Sequence, residues 1–269
     1  MELIILLLLG IVAGIVAGLF GLGGGILFTP ILFVVFSDAG IENPVVLTIA
    51  SSLFCTFVAS LASSVRQYQQ HNFYWADGIK VGMLGAIGVM LGKMVITSPY
   101  YSKKEFVIFF SLLLIYVAFM FYRRGNRESQ QIENDVNPIT WEQSVVTGGL
   151  GGFVAALAGI GGGGVMVPLM NLLYKKEFAR VVSTSSLAIV IISLSAVIQL
   201  GITGNEVQAL TVYHWGYVDF GAALPLAAGG LLGGFVGALI NLKIDRQYLQ
   251  YAFAVIAVGM AVKLLAEVF

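Results

Sequence analysis

Two glycine runs, Gly21-Leu22-Gly23-Gly24-Gly25 and Gly159-Ile160-Gly161-Gly162-Gly163-Gly164, interrupt apolar stretches, and each is followed shortly by a proline, Pro30 or Pro168. A glycine in a helix interior costs roughly 1 kcal/mol relative to alanine, so a continuous helix through either run is disfavoured. A helix that restarts after such a break presents the N–H groups of its first turn and the positive end of its dipole. Both attract an anion, and glycine lets a ligand approach the backbone closely. The candidate substrate-binding residues are therefore Gly23, Gly24 and Gly25, with Gly161, Gly162, Gly163 and Gly164. Ser51 and Ser52, and likewise Thr184, Ser185 and Ser186, lie near the starts of the segments that follow. Their hydroxyls either donate to the same anion or cap helices and bond across them. Gln199 is a further candidate for the pathway, with Asn171 and Gln67 behind it. A small oxyanion held this way needs no buried Lys or Arg.

Other chemistries lack their residues. The single Cys55 excludes a disulfide framework and a CxxC pair, and inside an apolar segment it reads as a small buried hydrophobe. There is no GxSxG or HExxH, and the candidate serines have no His partner within a membrane segment, so an enzyme is not expected. Gly159, Gly161 and Gly164 fit GxGxxG, with Glu177 further on, but a dinucleotide site needs a preceding strand and a soluble βαβ unit. No cofactor or metal is expected. Proton-driven carriers commonly bury an acidic residue or histidine, yet no acidic residue lies centrally in any apolar stretch. Asp77 and Asp219 stand at helix starts and are expected to be N-caps. Lys93, Lys263 and Glu267 sit near helix ends and snorkel, and His71 and His214 fall in or beside loops.

Positioning these groups falls to membrane helices. Of 269 residues, 58% are hydrophobic and only 10% charged, against about 25% charged in soluble domains. Apolar stretches of about 20 residues match a hydrocarbon core; barrel strands would alternate over about 10 residues. Fourteen basic residues balance fourteen acidic ones, which leaves no field for nucleic acid. Met1-Glu2 followed by Leu3 to Leu9 lacks the basic region of a cleaved signal and reads as a retained first segment.

The pattern occurs twice. A shift of 138 residues places Gly21 on Gly159 and Pro30 on Pro168; one of 134 places Ser51-Ser52-Leu53 on Ser185-Ser186-Leu187. A shift of 142 places Trp75-Ala76-Asp77 on Tyr217-Val218-Asp219, and Gly88 and Gly92 on Gly230 and Gly234. Residues 1–122 form a first transmembrane repeat, 123–144 a cytoplasmic polar linker and 145–269 a second repeat. The later segments are expected at Val181 to Leu200, Tyr217 to Ile240 and Tyr248 to Ala266. Basic residues favour the cytoplasm, which puts Arg123, Arg124 and Arg127 inside together with Lys175, Lys176 and Arg180. The second glycine segment then enters and returns, equivalent loops fall on opposite faces, and both termini are extracytoplasmic. The loop with Lys103 and Lys104 falls outside, against the rule. The expected fold is thus an all-α polytopic membrane protein of two inverted repeats, each a glycine-broken helix or hairpin followed by three transmembrane helices.

The stretch Ala13-Gly14-Ile15-Val16-Ala17-Gly18-Leu19-Phe20-Gly21-Leu22-Gly23-Gly24-Gly25 through Pro30, its repeat up to Pro168, the Ser-Ser-Leu elements and the aromatic-x-Asp start of a glycine-rich helix carry a resemblance. Over essentially the whole chain the sequence resembles the TauE/SafE family of sulfite and organosulfonate exporters. The resemblance implies a multi-pass permease of the cell membrane, the inner membrane in a Gram-negative cell, that exports sulfite or an organosulfonate. It would bind its substrate at the midplane between the glycine-broken helices and work by alternating access. An anion channel, or a permease for another oxyanion or a carboxylate, uses the same helix-end chemistry. The expected partners are a small anionic substrate, the lipid bilayer, a coupling ion, proton or sodium, and a second copy in a homodimer.

Overall fold

In hydrocarbon the peptide groups of a spanning segment must be satisfied within the segment, and the apolar stretches accordingly fold as helices. The computed structural model describes residues 2–20, 25–69, 74–125, 137–204, 208–241 and 246–266. Among them are α1 (Glu2–Phe20), α2 (Gly25–Asp38), α3 (Pro44–Gln69), α4 (Trp75–Ile96), α5 (Lys103–Gly125), α6 (Trp141–Ala158), α7 (Gly163–Pro168), α8 (Phe178–Thr203), α9 (Phe220–Asn241) and α10 (Arg246–Ala266). A π-helical segment, Leu169–Leu173, continues α7. The protein is an all-α membrane protein, and α3, α4 and Ala179–Thr203 of α8 are long and apolar enough to cross a bilayer. Gly21, Gly23, Gly24, His71, Arg127 and Glu267 lie outside the described residues.

Helix α6 starts at Trp141 behind a capping box, in which Thr140 Oγ1 accepts from Gln143 N–H and the Gln143 side chain returns to Thr140 N–H. The helix expected to start at Tyr217 starts instead at Phe220. The preceding residues form a two-strand hairpin, β1 (His214–Trp215) and β2 (Val218–Asp219), turned by Gly216 at φ 52°. Asp219 caps α9 as expected: its Oδ1 accepts from Ala222 N–H at 3.1 Å. Asp77 does not cap α4. It is the third residue of that helix, and its carboxylate pairs with Arg180 of α8 at 2.6 Å.

Helices α3 and α8 cross at the centre, with Ser51, Ser52, Cys55 and Thr56 on one and Thr184, Ala188 and Ile192 on the other buried. Around them α1 packs on α9, α6 on α4, and α5 on α10. The outer helices turn large apolar side chains outward, among them Met83, Ile87 and Met94 of α4 and Leu232 and Phe235 of α9, the surface a lipid bilayer covers. The pairing is unchanged when each helix is replaced by its sequence counterpart. Thus α1 on α9 corresponds to α6 on α4, and α3 on α9 to α8 on α4.

The direction of each pair can be read from its contacts. Gly10 lies against Leu226 and Gly14 against Gly230, so α1 and α9 run parallel, as do α4 and α6 through Gly85 on Gly148 and Gly92 on Ala156. Ser63 near the end of α3 instead meets Ser186 near the start of α8, and Thr56 and Ile189 flank the same glycine, Gly161. Helices α3 and α8 therefore run antiparallel.

The outer pairs close through glycine, as small-residue spacing requires where lipid supplies no hydrophobic drive. A Cβ on Gly152 would stand 1.9 Å from Gly85 O, whereas one on Gly149 would have no neighbour within 4 Å. Gly152→Ala should therefore lower the thermal stability of the purified protein by about 1–3 kcal/mol through overpacking. Gly149→Ala should leave stability unchanged or raise it by up to about 1 kcal/mol through helix propensity.

Candidate functional site

Helix α6 ends because the chain must turn inside the protein. Gly159, its C-cap, lies at φ 72°, and Gly161 and Gly162 follow at φ 70° and 80°, a region side chains with a Cβ rarely enter. Gly162 is the N-cap of α7, and its carbonyl accepts from Val165 and Met166 N–H at 3.1 and 3.0 Å. The N–H groups of Gly163 and Gly164 come before these acceptor bonds begin and have no intrahelical acceptor. Six residues into α7, Pro168 removes one more N–H and the helix widens into the π-helical segment. Pro30 stands at the same sixth position of α2.

The start of α2 meets this turn. A Cβ on Gly25 would lie 2.7 Å from both Ile160 O and Thr56 Oγ1, and one on Gly164 would touch Ile26 Cδ1 at 3.9 Å. All residues from Gly159 to Gly164 are buried, as are Gly25 and Ile26. The first turns of two helices thus approach one enclosed point. Of the two glycine regions, Gly25 lies against Ile160 and Gly164 against Ile26, while Gly161 faces Thr56 and Ile189 and Gly162 faces Gly151; Gly23 and Gly24 precede the described part of α2.

Hydroxyls and carbonyls frame that point. Ser52 Oγ donates toward Ile49 O and Gly159 O, each at 3.0 Å, so α3 holds the end of α6 across the two halves of the chain. Thr29 Oγ1 donates to Gly25 O at 3.1 Å, and Thr56 Oγ1 to Ser52 O at 2.8 Å. Tyr101 donates to Leu157 O at 2.9 Å; burial, with Glu105 nearby, pushes its phenol up, so it stays a donor. Neither Thr29 nor Thr56 was prominent in the sequence. The signals were there: Thr29 precedes Pro30, and Thr56 is one turn beyond Ser52 on the same face of α3.

The remaining candidates divide. Ser51 Oγ accepts from Asp219 N–H at 3.0 Å and so supports the hairpin before α9. Ser185 and Ser186 both donate back to Val182 O, at 3.1 and 2.8 Å, and Ser186 also meets Ser63. Thr184 is fully buried with its hydroxyl unpartnered. These three lie three to five residues before Ile189 on α8, about 5–8 Å from the level of Gly161 at 1.5 Å per residue. Gln199 lies ten residues beyond Ile189, about 15 Å along the helix, where its Nε2 donates to Ser195 Oγ at 2.8 Å and Ala86 O at 3.4 Å. The fold does not bring it to the break. Asn171 Nδ2 donates to Lys176 O at 3.3 Å and serves the turn after the π-helical segment.

What the arrangement offers chemically is a buried, backbone-lined point where the first turn of α7 meets the first described turn of α2, with hydroxyls close by and no acidic side chain among the described residues that form it. The sequence pattern named Sulfite exporter TauE/SafE matches residues 6–264. A "Probable membrane transporter protein" of Methanocaldococcus jannaschii is 29% identical over 249 residues, covering 91% of this chain and 89% of the relative. One of Bacillus subtilis is 26% identical with 99% and 98% covered, and one of Haemophilus influenzae 24% identical with 97% of each covered. With a pattern that spans nearly the whole chain and a membrane-embedded helical fold, the protein is a membrane transporter and belongs to the sulfite exporter TauE/SafE family.

Proposed function

We propose that the chain is a secondary transporter that exports a small sulfur-containing anion, sulfite or an organosulfonate, bound where the glycine breaks converge. The observation that carries this is the approach of the α2 and α7 first turns at a buried point, with Gly25 against Ile160 and Gly164 against Ile26. Each helix N-terminus is worth up to about 2 kcal/mol to an anion in a partly buried setting. Each hydrogen bond to a charged group adds about 1.5–3 kcal/mol. Two such ends with three or four N–H donors offset a desolvation penalty of several kcal/mol. The donors offered by Gly163 and Gly164 suit an oxyanion, and the name of the family supplies sulfur. Ser52, Ser185 and Ser186 contribute if their hydroxyls turn from the carbonyls they now meet, and Thr184 with a hydroxyl that has no partner to leave; Ser51 and Gln199 act at a distance, through packing.

Inverted repeats account for the helix directions. Turning one half over about an axis in the membrane plane makes α3 antiparallel to α8 and leaves α1 parallel to α9, as their contacts run. Residues 1–122 and 145–269 are then the two repeats and 123–144 a cytoplasmic linker. The substrate sits at their interface, and the halves exchange conformations to give alternating access. A proton or sodium gradient drives export, both termini are extracytoplasmic, and a second copy completes a homodimer.

Gly164→Ala separates binding from folding. Its methyl group would meet Ile160, Val117 and Ile26 only at 3.4 Å or more, and Gly164 has no positive φ. Transport of labelled sulfite in proteoliposomes should fall by roughly tenfold or more through the obstructed N–H groups, with the melting temperature within a degree or two of wild type. Unimpaired transport by this variant would remove the site from the glycine break. Flux should saturate and show counterflow; flux linear in concentration marks a channel. A periplasmic reporter fused after Phe269 should be active and a cytoplasmic one silent, and the opposite pattern contradicts the inverted arrangement.

A further inference from the structure

Away from the glycine breaks, at the end of the molecule where α4 and α8 both begin, lies a second group of polar side chains, of which Asp77, Lys176, Ser183 and Thr184 are buried and Arg180 and Tyr74 half-buried. Arg180 Nη1 donates to Asp77 Oδ2 at 2.6 Å, and the guanidinium carbon lies 4.2 Å from the centre of the Tyr74 ring. Tyr74 N–H donates to Ser183 Oγ at 3.1 Å, and Ile139 N–H to Asp77 Oδ1 at 3.3 Å. Lys176 Nζ donates to Asn137 O and Pro138 O at 3.1 and 3.4 Å. The chain leading into α6, the first turn of α4 and the first turn of α8 are joined here.

The bonds leave capacity unused. Arg180 presents five N–H donors in a planar fork, and its Nε is buried without a partner. Thr184, one turn further along the same face of α8, is fully buried, and its hydroxyl also lacks a partner. An ion pair taken out of water gains little net stability, because desolvation offsets the attraction. Another anion that enters the fork must offset the cost of leaving the buried Asp77 carboxylate without its cation, a cost that the Ile139 N–H bond to its other oxygen lessens. The Tyr74 face holds the guanidinium plane whichever anion occupies the fork.

We infer that Arg180 is an anion-capture residue. An incoming oxyanion displaces the Asp77 carboxylate, is received by the Arg180 fork with the Thr184 hydroxyl, and passes from there toward the glycine breaks. Asp77 acts as the resident stand-in that occupies the fork when no substrate is present. Arg180 lies nine residues before Ile189, about 14 Å along α8 from the wall of Gly161, and Thr184 five residues before it, about 8 Å, so the two are successive steps along one helix toward the break. The inference rests on the oxyanion transport proposed above and adds a side-chain subsite to a site otherwise made of backbone.

The test uses the full-length protein with sulfite as probe, in thermal unfolding, binding titration and proteoliposome flux. Asp77→Asn should melt lower than wild type without anion and regain that loss in sulfite. It should also bind sulfite about tenfold more tightly, because a like charge at ion-pair distance has been removed. The reversed pair, Asp77→Arg with Arg180→Asp, rebuilds the ion pair and should restore the melting temperature, yet flux should stay at least tenfold down because the fork no longer lies on α8. Arg180→Lys keeps the charge and loses the Nε–H; its KM for sulfite should rise about tenfold with the maximal rate retained. A merely structural clasp gives the opposite result: normal flux in the reversed pair, unchanged KM in Arg180→Lys and unchanged affinity in Asp77→Asn, any of which overturns the capture role. If Asp77→Asn does not fold, the other two variants decide. Absence of oxyanion flux in the wild-type protein defeats the transporter proposal instead, and the affinity of Asp77→Asn for sulfite still tests the capture residue by itself.

Discussion

A peptide group inside a bilayer has no water to bond, and leaving it unpaired costs several kcal/mol. The broken stretch between α6 and α7 concentrates such groups, and its surroundings answer to that constraint. Ser52 takes the Gly159 carbonyl, Tyr101 takes the Leu157 carbonyl, and the Gly162 carbonyl accepts from the N–H groups of Val165 and Met166. Helices α3 and α8 have to be central because they enclose the break, and the outer pairs have to be close because they shield it. At the restart of α7 the N–H groups of Gly163 and Gly164 precede the first intrahelical acceptor.

The close approach of the outer helices serves the same end. Where α1 meets α9 and α4 meets α6, glycine lets backbones touch, and the large side chains of these helices are left for the lipid-facing side. The scaffold is nearly symmetric in its pairing, but its chemistry is not. Thr29 and Thr56, whose hydroxyls stand beside the second break, have Val167 and Val190 as their sequence counterparts. Asp219 caps a helix, while its counterpart Asp77 holds an arginine of the other half. The pairing thus provides a frame in which each half carries different polar groups.

Membership in the sulfite exporter TauE/SafE family and the enclosed break bear on each other. A family pattern across residues 6–264 says that the chain transports, and says nothing of where the substrate is held. The geometry offers a place and a charge preference, since helix N-termini favour anions. Arg180 adds a side chain that a scheme built on backbone donors alone does not require.

Much of this was legible in the residues. Composition determined the membrane class, because 10% charged residues cannot cover a soluble surface. The doubled glycine and proline spacing determined where helices stop, because backbone entropy and a missing N–H act locally. Local rules also placed the Asp219 cap. Only the tertiary structure decided that Gly25 lies against Ile160, that Ser51 supports a hairpin while Ser52 holds the break, and that Gln199 sits about 15 Å from it. It likewise decided that Asp77 faces Arg180, a partner 103 residues away in the chain. The physical reason is the range of the forces. Propensity, capping and hydropathy act within a few residues and are written in order along the chain, whereas an ion pair or a cross-half hydrogen bond depends on which helix faces which, and packing alone sets that.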